Sequence, residues 1–258
     1  MAGAVLFGVI ASSALVLGAL VGARVRFPKR VLAVMLSFAA GALITALAFE
    51  LFEESRERGG LARAGMGLFV GALVFTVLSL WLDRVAEGSR PEAEGSEKLD
   101  PDAAAVDATA TPASTTGAAG LALLGAVTLD GVPENVALGV SLGEGTGGLA
   151  LLAAIFVSNF PESLVGSASM RAQGRSNAYV LATWSGCAAL LTLAVVVGAG
   201  PLASTSDETI SLPLAFAAGA VLASLADTLM PEAYRDGGPA VALSTAAGFV
   251  LSYVLSLA

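Results

Sequence analysis

The chain has 258 residues, 56% of them hydrophobic and 13% charged, with 21 acidic against 13 basic side chains and no histidine. Its mean hydropathy is +0.81, whereas a water-soluble domain carries about 25% charged residues, so an ordinary soluble domain is excluded. At a net charge of −8 no nucleic-acid partner is expected, and the single cysteine, Cys187, excludes an internal disulfide and reads as a small packing residue.

The apolar residues fall into eight runs, about 3–23, 31–51, 62–82, 117–141, 147–169, 177–198, 211–230 and 239–258. Each is near the roughly 20 residues that carry a helix across about 30 Å of hydrocarbon. The expected fold is therefore an all-α polytopic membrane protein of eight transmembrane helices. A membrane β-barrel would instead show strands of about ten residues alternating apolar with polar.

The first run is followed, not preceded, by its positive charges Arg24, Arg26, Lys29 and Arg30, which suits a first membrane helix and not a cleavable signal. Helices 1–3 occupy residues 1–85. Residues 86–116, rich in Glu, Asp, Ala, Ser, Thr and Pro and free of aromatics, read as a disordered acidic loop. Helices 4 and 5 fill 117–170 and helices 6–8 fill 171–258. Lysines and arginines divide ten against three between alternate loops, which predicts that both termini lie outside and the acidic loop inside the cell membrane.

The chain also resembles itself. LSFAAGALITALAFELFEES at 36–55 aligns with LAFAAGAVLASLADTLMPEA at 214–233, and GALVFTVLSL at 71–80 with GFVLSYVLSL at 248–257. Helices 1–3 and 6–8 thus read as duplicated triplets, inverted on this topology, with helices 4 and 5 paired between them. That is a transporter architecture, whose site lies at the midplane where helices are interrupted.

The candidate site residues lie in that pair. In LDGVPENVALGVSL, Asp130 and Glu134 stand one helical turn apart around Pro133. Proline removes a backbone hydrogen bond and disturbs the carbonyl four residues earlier. In SNFPESLVGS, Ser158 and Glu162 repeat the spacing around Pro161, with Asn159 beside them. A carboxylate in mid-membrane costs at least a few kcal/mol and usually faces a wet cavity or the bundle interior. Two like charges one turn apart repel, and a bound divalent cation turns that repulsion into attraction. The bland alternative makes the prolines ordinary kinks and the acids helix ends.

DGVPEN and SNFPES resemble the paired metal-binding motifs of the ZIP (Zrt-/Irt-like protein) family of metal transporters, and the resemblance extends along the whole chain. It implies a ZIP-like bundle that carries divalent cations toward the cytoplasm through a site on helices 4, 5 and 7, with help from helix 2. It places Asp130 at the family's first histidine, Gly131 at its asparagine and Glu134 at its metal-binding acid. Ser158 stands at the His or Gln of helix 5, while Asn159 and Glu162 match. Thr228 falls on the helix 7 ligand position with Asp227 before it, and Glu50, the repeat mate of Thr228, is the helix 2 candidate. Glu53, Glu54 and Glu232 read as solvated or lining residues. A homodimer is compatible with the resemblance and with the small-residue spacing at Gly67 and Gly71.

Without histidine, the expected ligand set of Asp130, Glu134, Ser158, Asn159, Glu162, Asp227 and Glu50 offers oxygen. This favours hard cations such as Mn²⁺ or Mg²⁺, with Zn²⁺ or Fe²⁺ held more weakly. One main site is expected, not two. The metal is a substrate and no catalytic cofactor or enzymatic activity is expected. The alternative is a ZIP-fold protein that has lost metal transport and conducts or senses protons or another small ion. An intramembrane hydrolase is disfavoured, because the repeats supply Pro-Glu motifs and not opposed aspartates.

Overall fold

The computed structural model describes residues 2–25, 27–88, 119–143 and 148–257. Most of the expected acidic loop lies outside them. Helix α1 runs Ala2–Gly22, α2 Lys29–Thr45, α3 Glu53–Gly88, α4 Ala119–Gly143, α5 Leu149–Ala172, α6 Asn177–Val197, α7 Asp207–Ser224, α8 Met230–Gly237 and α9 Ala240–Ser256. Three wider π-helical turns, Ala46–Phe52, Gly198–Leu202 and Leu225–Leu229, follow α2, α6 and α7. No strand occurs among the described residues.

Among the described residues, five helical stretches are long and apolar enough to cross a membrane: Ala2–Gly22, Lys29–Trp81, Leu149–Ala172, Asn177–Leu202 and Asp207–Gly237; Ala240–Ser256 is a shorter apolar helix. In hydrocarbon each backbone N–H and C=O needs a partner within the protein, which a helix provides within one segment. The surface agrees with such a solvent. Phe69 is 75% exposed and Leu243 78%, while Ser37, Ser163, Ser167 and Asn135 are buried, the reverse of a water-soluble surface.

The stretch Lys29–Trp81 has 53 residues, about 80 Å at 1.5 Å per residue, far more than one crossing needs. It breaks at Gly60, whose backbone lies at φ 78° and ψ 162°, a region that side chains other than hydrogen rarely allow. The residues just before it were expected as a loop and are helical. They are held there by contacts to the start of α7. The Ser55 hydroxyl donates to the Ser211 carbonyl at 2.8 Å, and the Ser211 hydroxyl to the Ser55 carbonyl at 2.9 Å. Arg58 pairs with Glu54 on its own helix and with Asp207 across the junction. The prolines also act more gently than expected, since α4 and α5 continue as helix through Pro133 and Pro161.

Two groups of helices form the bundle. In one, α1 packs on α5 and α6, and α4 on α6 and α5; in the other, α2 packs on α9 and α8, and α3 on α7. In the second group, glycines let backbones touch. A Cβ on Gly41 would lie 1.9 Å from the Thr245 carbonyl oxygen, and one on Gly248 1.9 Å from that of Phe38. Likewise a Cβ on Gly219 would lie 1.9 Å from the Leu68 carbonyl oxygen, and one on Gly71 2.0 Å from that of Phe216. The sequence alignments above equate Gly41 with Gly219, Phe38 with Phe216, and Gly71 with Gly248. The α2–α9 and α7–α3 crossings are thus built from equivalent positions. The π-helical turns Ala46–Phe52 and Leu225–Leu229 also fall at equivalent positions.

Candidate metal site

Helix α4 carries Glu134 inward, at 4% exposure, with Asn135 beside it at 0%. Asn135 is held by its own helix: its Nδ2 donates to the Gly131 carbonyl at 2.8 Å. Gly131 leaves room for α6, because a Cβ there would meet the Leu191 side chain at 3.0 Å. Asp130 lies in α4 one turn before Glu134, and its side chain is outside the described residues.

Helix α5 packs directly on α4 and buries Ser158 and Asn159 at 2% exposure each, with Glu162 half-buried one turn further on. The Ser158 hydroxyl donates to the Ile155 carbonyl at 3.1 Å. The Asn159 carbonyl accepts from the Ser163 hydroxyl at 2.8 Å. Such hydroxyl bonds return to their own helix and let polar side chains lie in an apolar interior. The pair α4 and α5 thus supplies two carboxylates, a hydroxyl and an amide on neighbouring elements. Among the described residues no group of three or more His, Cys, Asp or Glu side chains converges as a metal cage would; Asp130 stands outside that set.

The helix 2 and helix 7 candidates each stand within a π-helical turn. Such turns are frequent at functional sites and have no signature in the sequence. Glu50 reaches the start of α5, where its Oε2 accepts from the Leu151 N–H at 3.0 Å. The residue at the cap position is Gly148, in the left-handed conformation and without a side-chain cap. Glu50 therefore caps α5 from another helix, a favourable place for a negative charge at a helix N-terminus. Leu151 precedes Ser158 by seven residues, roughly 10 Å along the helix. Asp227 is exposed, and its Oδ2 accepts from the Ser79 hydroxyl of α3 at 3.0 Å. Thr228 is half-buried.

Replacing Glu50 with Ala is expected to cost about 1 kcal/mol of stability, the usual loss of a helix cap, read as a lowered thermal midpoint. Cation uptake that survives this substitution within a few-fold identifies Glu50 as a cap; complete loss of uptake makes it a ligand.

A cavity of about 840 Å³ opens beside this contact, lined by Glu50, Glu53, Glu54, Glu57 and Asp207, with Arg58 the one cation among its described lining residues. Ser141 of α4 also lines it. Ser141 follows Glu134 by seven residues, two helical turns, so both stand on one face of α4. That face leads from the acidic cavity toward Glu134. Glu53 and Glu54, expected as solvated or gate-lining residues, are among the residues that line this cavity.

Sequence reasoning missed Asn135. Its visible signal is its place one turn after Gly131, on the same face of α4. No protein-family model matches this chain, and no curated protein matches it at a significant level.

Proposed function

We propose that this chain is a ZIP-like transporter that moves divalent metal cations across the cell membrane toward the cytoplasm by alternating access around Glu134 and Glu162. The observation that carries this reading is Glu134, a carboxylate 4% exposed on a helix packed against the one that carries Ser158, Asn159 and Glu162. Burying an acid there is costly, and acids so placed generally serve an ion path. Asp130, one turn away on α4, would be a further ligand. The acidic cavity would gather cations and the Ser141–Glu134 face of α4 would lead them inward. An all-oxygen site suits Mn²⁺ or Mg²⁺ better than Zn²⁺ or Fe²⁺.

In this reading the chain makes eight crossings, with Lys29–Trp81 folding back at Gly60 and α4 and α9 adding to the other stretches. Both termini lie outside, as the loop charges suggest. Helices 1–3 and 6–8 form inverted repeats, a reading supported by the equivalent glycine crossings and the equivalent π-helical turns.

The test is uptake into proteoliposomes under an inward gradient of Mn²⁺, with Mg²⁺ and Zn²⁺ as competitors. Protein-dependent Mn²⁺ accumulation, competed more weakly by Zn²⁺ than by unlabelled Mn²⁺, is the expected result. No divalent flux above protein-free liposomes, with a pH-dependent current in its place, would overturn metal transport in favour of proton or small-ion conduction.

A further inference from the structure

Most of the buried apolar residues fall into two separate clusters, and the helices α1, α4, α5 and α6 each contribute to both. Helix α1 gives Ala11 to one and Leu15 to the other; α4 gives Ala137 to the first and Val127, with Val132 packed against it, to the second. Helix α5 gives Ile155 and Met170 respectively, and α6 gives Val195 and Leu191. The interval between the clusters holds the buried polar residues Ser12, Glu134, Asn135, Ser158, Asn159 and Ser163. A polar layer therefore crosses this four-helix group where its apolar core is divided. Contacts tie the helices together at that level. The Ser163 hydroxyl reaches the Ala14 carbonyl at 3.4 Å, and Gly131 meets Leu191.

Among the described residues, three side-chain atoms in this layer are buried without a protein partner: Ser12 Oγ, Asn135 Oδ1 and Asn159 Nδ2. Their residues are 1%, 0% and 2% exposed. Other such atoms, on Trp184, Thr245 and Ser252 for instance, stand elsewhere in the bundle. An unmet buried polar group costs about 1–3 kcal/mol, and such groups in native proteins usually meet water or an ion.

Their chemistry selects between these ligands. Asn159 Nδ2 can only donate, which a cation cannot accept. Asn135 Oδ1 can only accept, which an anion cannot satisfy. The Ser12 hydroxyl does either. Water serves all three, and buried water typically has two to four polar partners. Asn135 lies between Gly131 and Gly139, which meet Leu191 and Val195 of α6, so its side of α4 is the α6 side.

We propose that Ser12, Asn135 and Asn159 form an internal water site within the α1–α4–α5–α6 group. It hydrates the level of Glu134 from the α6 side of α4, away from the acidic cavity. The inference brings in α1, which contributes no carboxylate, and it stands whether or not the protein carries metal.

Radiolytic hydroxyl-radical labelling of the full chain in nanodiscs, without added metal, tests it. Radicals form from bound water and mark the side chains beside it. Leu15 and Ile155, which border the layer, are expected to label faster than Leu214, equally buried but on α7. In the variant carrying both Asn135→Leu and Asn159→Leu, their labelling falls to the Leu214 rate. Wild-type labelling of Leu15 and Ile155 no faster than that of Leu214 overturns the proposal, without need of any variant. So does fast labelling that persists unchanged in the folded double variant.

Discussion

A chain carrying Glu134→Gln is expected to remain folded yet lose its response to divalent cations. Glutamine keeps the shape and the hydrogen-bonding oxygen of glutamate and removes the charge that a cation needs. If Glu134 holds the proposed cation, the wild-type protein in Mn²⁺ at 100 times its dissociation constant is expected to gain about 2.7 kcal/mol of stability from binding. The variant is expected to show almost none of this, so the two thermal midpoints separate in Mn²⁺ and converge in chelator. Uptake is expected to fall at least as far as the roughly 10- to 100-fold typical when a mere supporting residue of a metal site is changed. Equal Mn²⁺ stabilisation of both proteins would remove Glu134 from the site. The same comparison with Glu50→Gln separates the two acids, because Glu50 already serves the N-terminus of α5 and its loss is a stability effect first.

How much of this was legible beforehand varies with the kind of interaction involved. Apolar runs located most helices closely: the run 3–23 is α1 at Ala2–Gly22, and the run 177–198 is α6 at Asn177–Val197. Hydrophobicity is summed along the chain, so it survives being read in one dimension. The residues just before Gly60 read as a loop because they are charged, yet they are helical. Their helix depends on Ser55 meeting Ser211 and Arg58 meeting Asp207, partners some 150 positions away in the chain that no local pattern reveals. The apolar run begins at 211, yet Ser206, Asp207 and Glu208 form an ordinary acidic helix start and α7 begins there. That signal was present and unread.

The site divides in the same way. The spacing of Asp130 and Glu134 around Pro133, and of Ser158 and Glu162 around Pro161, is visible in the sequence; the structure buries Glu134, Ser158 and Asn159 and leaves Glu162 half-buried. The burial of Ser12 was not visible, because one serine among the small residues of α1 looks like any other. The capping role of Glu50 was invisible too, since it depends on a contact to Leu151 across the bundle.

The glycine crossings make the second large prediction. Gly41→Ala and Gly219→Ala are each expected to destabilise the protein by about 1–3 kcal/mol, the cost of overpacking a well-packed contact. In both cases the added methyl meets a backbone carbonyl oxygen at 1.9 Å, that of Thr245 or of Leu68. No rotamer change can clear a backbone atom, so the helices must separate. At the α2–α9 crossing separation also strains the bond from the Thr45 hydroxyl to the Phe249 carbonyl, 3.0 Å long. Glycine in a helix interior is otherwise the weaker choice by about 0.5–1 kcal/mol, so an open position should respond oppositely. Gly186 on α6 has nothing within 4 Å of its would-be Cβ, and Gly186→Ala is expected to leave the thermal midpoint unchanged or raise it. Because the two crossings join different helix pairs, the double variant Gly41→Ala with Gly219→Ala should lose nearly the sum of the single effects, within about 0.5 kcal/mol. A large loss at one crossing with none at the other would show that they are not equivalent, and with that the duplicated triplets would lose their main structural support.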